Sequence, residues 1–124
     1  MRKIAPMLAL AIGMAACSTD STAPSTSING AYSLRTINGA TLPYSFGNGL
    51  SLVSDQLVLG TDGNFTDTSR YSDGTTSTEY GYYNNLNGSV TFNDQTAGLT
   101  YQGSLSGTVL TVIVSGYTQT FQKN

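Results

Sequence analysis

Few side chains in this 124-residue chain have the chemistry for a reaction or a firm bond to a ligand. Cys17 is the single thiol, and histidine is absent. Without imidazole no Ser–His or Cys–His couple can form, and one sulfur supplies neither an internal disulfide nor the usual zinc ligand sets. Any turnover would rest on carboxylates, tyrosines and hydroxyls. Asp67 and Glu79 could in principle form the pair of carboxyls that flanks a glycosidic bond, but such a pair needs a deep cleft in a small domain. Acids in strands and turns are ordinarily solvated, and that is the expectation for both. Asp62-Gly63-Asn64 has the start of a calcium loop without its further oxygen ligands or terminal Glu, and a hairpin turn accounts for it. These observations point away from an enzyme, and they imply no cofactor and no metal.

The tyrosines carry more information. All eight follow residue 30, and no Trp accompanies them. A tyrosine offers an apolar ring with a polar tip, which suits either a ligand-gripping interior or an exposed binding face. Tyr80 and Tyr82 share one side of their strand, with Tyr83 on the other. Together with Tyr101 and Arg70 they are the candidate ligand-binding residues, Arg70 as a partner for a ligand carboxylate or for Glu79. The plainer alternative is tyrosine filling a modest β core and a solvated arginine. Arg35 is out of phase with Tyr32 and Leu34 and belongs outside if they point inward.

The N-terminus carries an address. Arg2 and Lys3 precede the apolar run Ile4 to Ala16, about 13 residues and too short for the roughly 20 of a membrane-spanning helix. Met14-Ala15-Ala16-Cys17 resembles the lipobox of bacterial lipoproteins. The resemblance implies cleavage before Cys17, a diacylglycerol on its sulfur and an acyl chain such as palmitate on its new amino group. Ser18 stands where such proteins carry Asp when retained in the inner membrane, which implies an outer-membrane location in the cell envelope. Residues 1–16 are thus the expected signal peptide and 17–29 the lipidated cysteine with a flexible Ser/Thr/Pro tether. Residues 30–124 form one domain of ordinary size.

After the signal, Arg35, Arg70 and Lys123 face seven acids, a formal charge of −4. That balance excludes nucleic acid and makes an anionic lipid surface or an acidic substrate a poor match.

Elements that would position these residues are short alternating segments parted by Gly-containing turns, with no helical periodicity after residue 16. Asn38-Gly39, Asp62-Gly63, Asp73-Gly74 and Asn87-Gly88 mark hairpin turns. About eight or nine strands at regular spacing predict an all-β domain, either a small antiparallel up-and-down β-barrel or a β-sandwich. The short connections favour the barrel, which also removes exposed strand edges. A barrel interior solidly packed by Leu57, Leu59, Phe65, Phe92, Leu110 and Phe121 would leave no room for a pocket. Residues 44–56 are open between a strand, a long loop and a lid over the barrel mouth.

The opening segment, Gly30 to Pro43 (GAYSLRTINGATLP), resembles the first strand and turn of lipocalin-like bacterial lipoproteins. So does the closing pair, LSGTVLTV from Leu105 and YTQTFQK from Tyr117, and the likeness extends in rhythm over residues 30–123. It implies a barrel of about eight strands with an interior pocket. A lipid-anchored envelope protein binding a small apolar or amphipathic ligand is the function expected from it. The alternative is a structural or protein-interaction module of the envelope with a packed barrel and no ligand.

Overall fold

The computed structural model describes residues 27–124. The expected signal peptide, Cys17 and the tether as far as residue 26 lie outside the described residues.

Alternation produces strands β1 (Gly30–Ile37), β2 (Ala40–Thr41), β3 (Tyr44–Ser45), β4 (Ser51–Leu59) and β5 (Asn64–Tyr71). They are followed by β6 (Thr76–Leu86), β7 (Ser89–Asp94), β8 (Leu99–Ser106), β9 (Val109–Val114) and β10 (Tyr117–Lys123). The segment left open at 44–56 resolves into the short β3, a loop, and β4 from Ser51 onward. Eight of the strands are long, and each long strand pairs antiparallel with its neighbour from β4 to β10. β10 pairs with β1, and β1 pairs with β4, so the sheet closes into an eight-stranded antiparallel β-barrel. Closure excludes the sandwich. The short β2 and β3 add to β1 and β4 at one end.

Turn chemistry explains the meander. Asn38 and Gly39 both have positive φ (51° and 82°), as do Asn87 and Gly88 (54° and 90°). Consecutive positive φ values are what a two-residue hairpin turn with the right twist requires, and Asn tolerates them better than most residues.

Two β-bulges break the expected alternation. Between Thr120 and Phe121 the register of β10 on β1 shifts, so Ile37 is buried although strict alternation from Leu34 would put Thr36 inside. A second shift on β4 lies between Leu52 and Ser54, and it brings Leu52 inside together with Asp55. Each bulge inserts one residue and changes which face follows.

Leu57, Leu59, Phe65, Phe92, Leu110 and Phe121, the residues whose packing would exclude a pocket, are all buried. They fill one end of the barrel with Tyr32, whose hydroxyl donates to the Ile28 carbonyl at 2.7 Å. Ile28 is itself part of this core, so the chain enters the barrel at its packed end. Lys123 sits at the same end, donating to the Ser27 carbonyl at 2.6 Å with its ammonium 5.9 Å from the Tyr32 ring centre.

Candidate functional site

At the opposite end the apolar filling stops. An open-mouthed cavity of about 230 Å³ is lined near its rim by Phe46, Leu99 and Tyr117 and deeper by Asp55, Asp67, Glu79, Asp94 and Tyr101. A residual void of about 10 Å³ lies below it, between Leu57, Phe92, Val112 and Phe121, where the packed core begins.

The four acids come from four consecutive long strands, and local alternation explains each one. Asp55 shares its face of β4 with Leu57 and Leu59, and Asp67 shares its face of β5 with Phe65. Glu79 is in phase with the buried Gly81, and Asp94 with Val90 and Phe92. Cross-strand register then gathers them. Asp67 faces Glu79 directly, Asp55 faces Ser69, and Asp94 faces Gly81, two residues along from Glu79. Gly81 lets β6 and β7 meet this closely, because a Cβ there would lie 1.9 Å from the Asn93 carbonyl oxygen.

Among the described residues no lysine or arginine lines the cavity. Ser69 Oγ donates to Asp55 Oδ2 at 2.8 Å, and the Ala97 amide donates to Asp94 Oδ1 at 3.0 Å. Asp67 hydrogen-bonds Asp55, and Glu79 hydrogen-bonds Asp94, each as a carboxyl pair. Asp55 Oδ1, Asp67 Oδ1 and Asp94 Oδ2 are buried and receive no amide, hydroxyl or cationic donor. Asp94 is only 2% exposed and Asp55 6%.

This environment raises Asp55, Asp67 and Glu79. Burial, then the hydrogen bond and charge of Asp55, pushes the Asp67 carboxyl up to about 10. The hydrogen bond with Asp94, then burial, pushes Glu79 up to about 7. Asp55 is raised by burial, against the opposing pull of its hydrogen bonds with Asp67 and Ser69. Burial and the surrounding carboxyls also hold the Tyr101 phenol above its ordinary range. These are the two ordinary causes of a raised acid, desolvation and a like-charged neighbour.

The remaining described acids behave oppositely. Asp62 and Asp73 sit in hairpin turns, where Asn64 and Thr75 respectively donate to their carboxyls and lower them. The expected hairpin reading of Asp62-Gly63-Asn64 stands. Among the described residues no group of three or more His, Cys, Asp or Glu is arranged to hold a metal ion.

Of the candidate ligand-binding residues, only Tyr101 faces the cavity. Its ring stacks on Phe92 with centroids 5.3 Å apart, and Phe92 meets Phe65 edge-on at 5.4 Å. Tyr80 and Tyr82 are 61% and 57% exposed on the outer wall, because Glu79, Gly81 and Tyr83 take the inward phase of β6. Arg70 is exposed on β5, one residue beyond the inward Ser69, and cannot serve the interior or meet Glu79. The expectation of solvated acids at Asp67 and Glu79 is overturned as well: both carboxyls are inside.

No protein-family model, curated protein or solved structure matches this chain. What the site can do follows from its own geometry. It offers a closed apolar floor, a belt of buried carboxyls and an aromatic rim. Asp55 and Asp94 escaped the sequence reading, although the signal was present: each continues the period-two phase of an apolar face.

The rim is built by the loop after β3. Tyr44 and Phe46 pack edge-on at 5.3 Å, and both lie edge-on to Tyr117 at 6.3 and 6.0 Å. Phe46 remains 41% exposed beside the opening.

Proposed function

We propose that this chain is a lipid-anchored protein of the bacterial envelope, of lipocalin-like type, whose barrel binds a small amphipathic ligand in the open cavity. The observation that carries the reading is the divided interior: one end is filled by Leu57, Leu59, Phe65, Leu110 and Phe121, whereas the other holds about 230 Å³ of open space. Small barrels are commonly filled by side chains along their whole length, so a half-filled one with an open mouth favours a ligand over a purely packed module. The volume lies below the roughly 300–1,000 Å³ of drug-sized sites, which suits a small molecule.

Orientation supports the same reading. Ile28 enters at the packed end and the cavity opens at the other, so lipid on Cys17 would place the membrane behind the barrel and turn its mouth outward. The Ser18 position favours the outer membrane. The function is binding, with no turnover assigned to the carboxyls.

Native mass spectrometry of the mature chain carrying Cys17→Ser, purified gently from its own envelope, tests the proposal. A reproducible small-molecule adduct that is lost on denaturation is expected. A consistently bare mass, with a stable envelope protein captured on the outer wall, would favour the interaction module instead.

A further inference from the structure

Charge is distributed inside-out in this domain. Four of its six described acids point into the barrel, while Arg35 and Arg70 lie on the outer wall and Lys123 is at the packed end, away from the cavity. We infer that the ligand is a small organic cation, with a primary ammonium seated among Asp55, Asp67, Glu79 and Asp94 and an apolar body against Phe46, Leu99 and Tyr117. This inference rests on the binding function proposed above and names its ligand class.

The orphaned oxygens point to a donor. Asp94 and Asp55 line the cavity and are more than nine-tenths buried, and one carboxyl oxygen of each receives no amide, hydroxyl or base among the described residues, leaving it only the carboxyl of its neighbour. Leaving such acceptors unmet is costly in a water-poor interior. A neutral apolar guest would seal them without a partner, and an anion would add repulsion to a site already crowded with acids. An ammonium brings three donors and a compensating charge on a compact head, which matches several acceptors converging from different strands. A bare divalent ion is the poorer match, since no group of the described acids has the arrangement to ligate one. The aromatic rim adds what a metal would not use: ring faces and edges at the mouth, suited to the apolar body of an amine.

Binding must also move protons. The titratable groups facing the ammonium site are Asp55 on β4, Asp67 and Tyr71 on β5, Glu79 on β6, Asp94 on β7 and Tyr101 on β8, with Tyr117 on β10. A cation placed among shared-proton carboxyls favours their ionised forms, so it enters as protons leave. Affinity therefore rises with pH until the amine itself begins to deprotonate.

The test is a calorimetric and NMR titration of the mature chain carrying Cys17→Ser. The probes are 2-phenylethylamine, its neutral isostere 2-phenylethanol, the anion phenylacetate, and calcium chloride. At about pH 8 the amine is expected to bind at least about tenfold more tightly than the alcohol, with phenylacetate weakest and proton release dependent on buffer. Affinity for the amine is expected to fall about tenfold or more at about pH 5, and Glu79→Gln and Asp94→Asn each weaken it while the melting transition stays cooperative. If either variant fails to fold, the pH dependence and proton release of the unaltered chain decide the matter. Equal binding of amine and alcohol would overturn the cationic ligand and leave the ligand-binding barrel standing. Calcium binding without amine binding would overturn it in favour of a metal, and no binding of any probe to a chain of bare native mass would overturn both.

Discussion

Asp67 and Glu79 stand directly opposite one another on β5 and β6, with both carboxyls inside the barrel. Two like charges in a cross-strand pair repel, and among the described residues no base lines the cavity to relieve them. The fold accommodates the pair by holding protons on it, and the measurable consequences begin there.

Stability should rise on acidification. Carboxyls of an unfolded chain ionise near pH ~4, whereas Glu79 holds its proton to about 7 and Asp67 to about 10, with Asp55 raised too. Between those values the folded state carries protons the unfolded state has lost, so stabilisation is full below about pH 4 and declines as pH rises through 7 and beyond. The melting temperature at about pH 5 is expected to exceed that at about pH 8 by roughly 4–8 °C or more. Calorimetric scans across that range check it; a profile that falls on acidification, as for ordinary salt-bridged acids, contradicts it.

Asp67→Asn should stabilise the empty barrel. The amide keeps a donor for Asp55 and removes the work of protonating a buried acid, so a gain of roughly 1–3 kcal/mol near neutral pH is expected. Urea unfolding at several pH values should show the gain shrinking toward about pH 4, where the carboxyl is protonated in both states. A loss of stability near neutral pH would mean that Asp67 is ionised in the fold.

Gly81→Ala should damage the wall on which Glu79 and Asp94 depend. Its Cβ would meet the backbone oxygen of Asn93 at 1.9 Å, and backbone cannot swing aside as a side chain would. A cost of about 3 kcal/mol or more is expected, through strain or a broken β6–β7 register. Ser77→Ala on the same strand, exposed, is the comparison and should stay within about 0.5 kcal/mol. Denaturant midpoints measured side by side decide between them.

Tyr80→Ser and Tyr82→Ser should leave both stability and 2-phenylethylamine binding nearly unchanged, within about 0.5 kcal/mol, because both rings stand on the outer wall. Tyr101→Ala removes a ring stacked on Phe92 inside the barrel, costing about 3 kcal/mol and reshaping the cavity. Paired thermal melts and amine titrations of the three variants distinguish an interior site from a tyrosine-lined outer face.

Much of this was legible in the residues. Period-two alternation and the Asn-Gly and Asp-Gly turns announce the strands and their meander, because pleat and turn geometry are local properties of a few neighbouring residues. The apolar positions Leu57, Leu59, Phe65, Phe92, Leu110 and Phe121 declare themselves interior for the same reason. The same alternation contained the acids too: Asp55 continues the phase of Leu57, and Asp94 that of Phe92. It was outweighed by the general tendency of carboxylates to face water, which holds residue by residue but not where several strands have already committed their inward phase.

Tertiary structure alone decided the rest. Pairing of β1 with β4 turns the meander into a closed barrel, and no local pattern states that these strands meet. The bulges beside Leu52 and at Thr120/Phe121 reverse the facing of their strands, so Ile37 and Leu52 point inward against simple counting. Register across four strands assembles Asp55, Asp67, Glu79 and Asp94 into one belt, while the phase of β6 sends Tyr80 and Tyr82 outside. The sequence by itself determines which residues alternate; closure and register determine which alternating faces share an interior, because those depend on contacts between residues far apart in the chain.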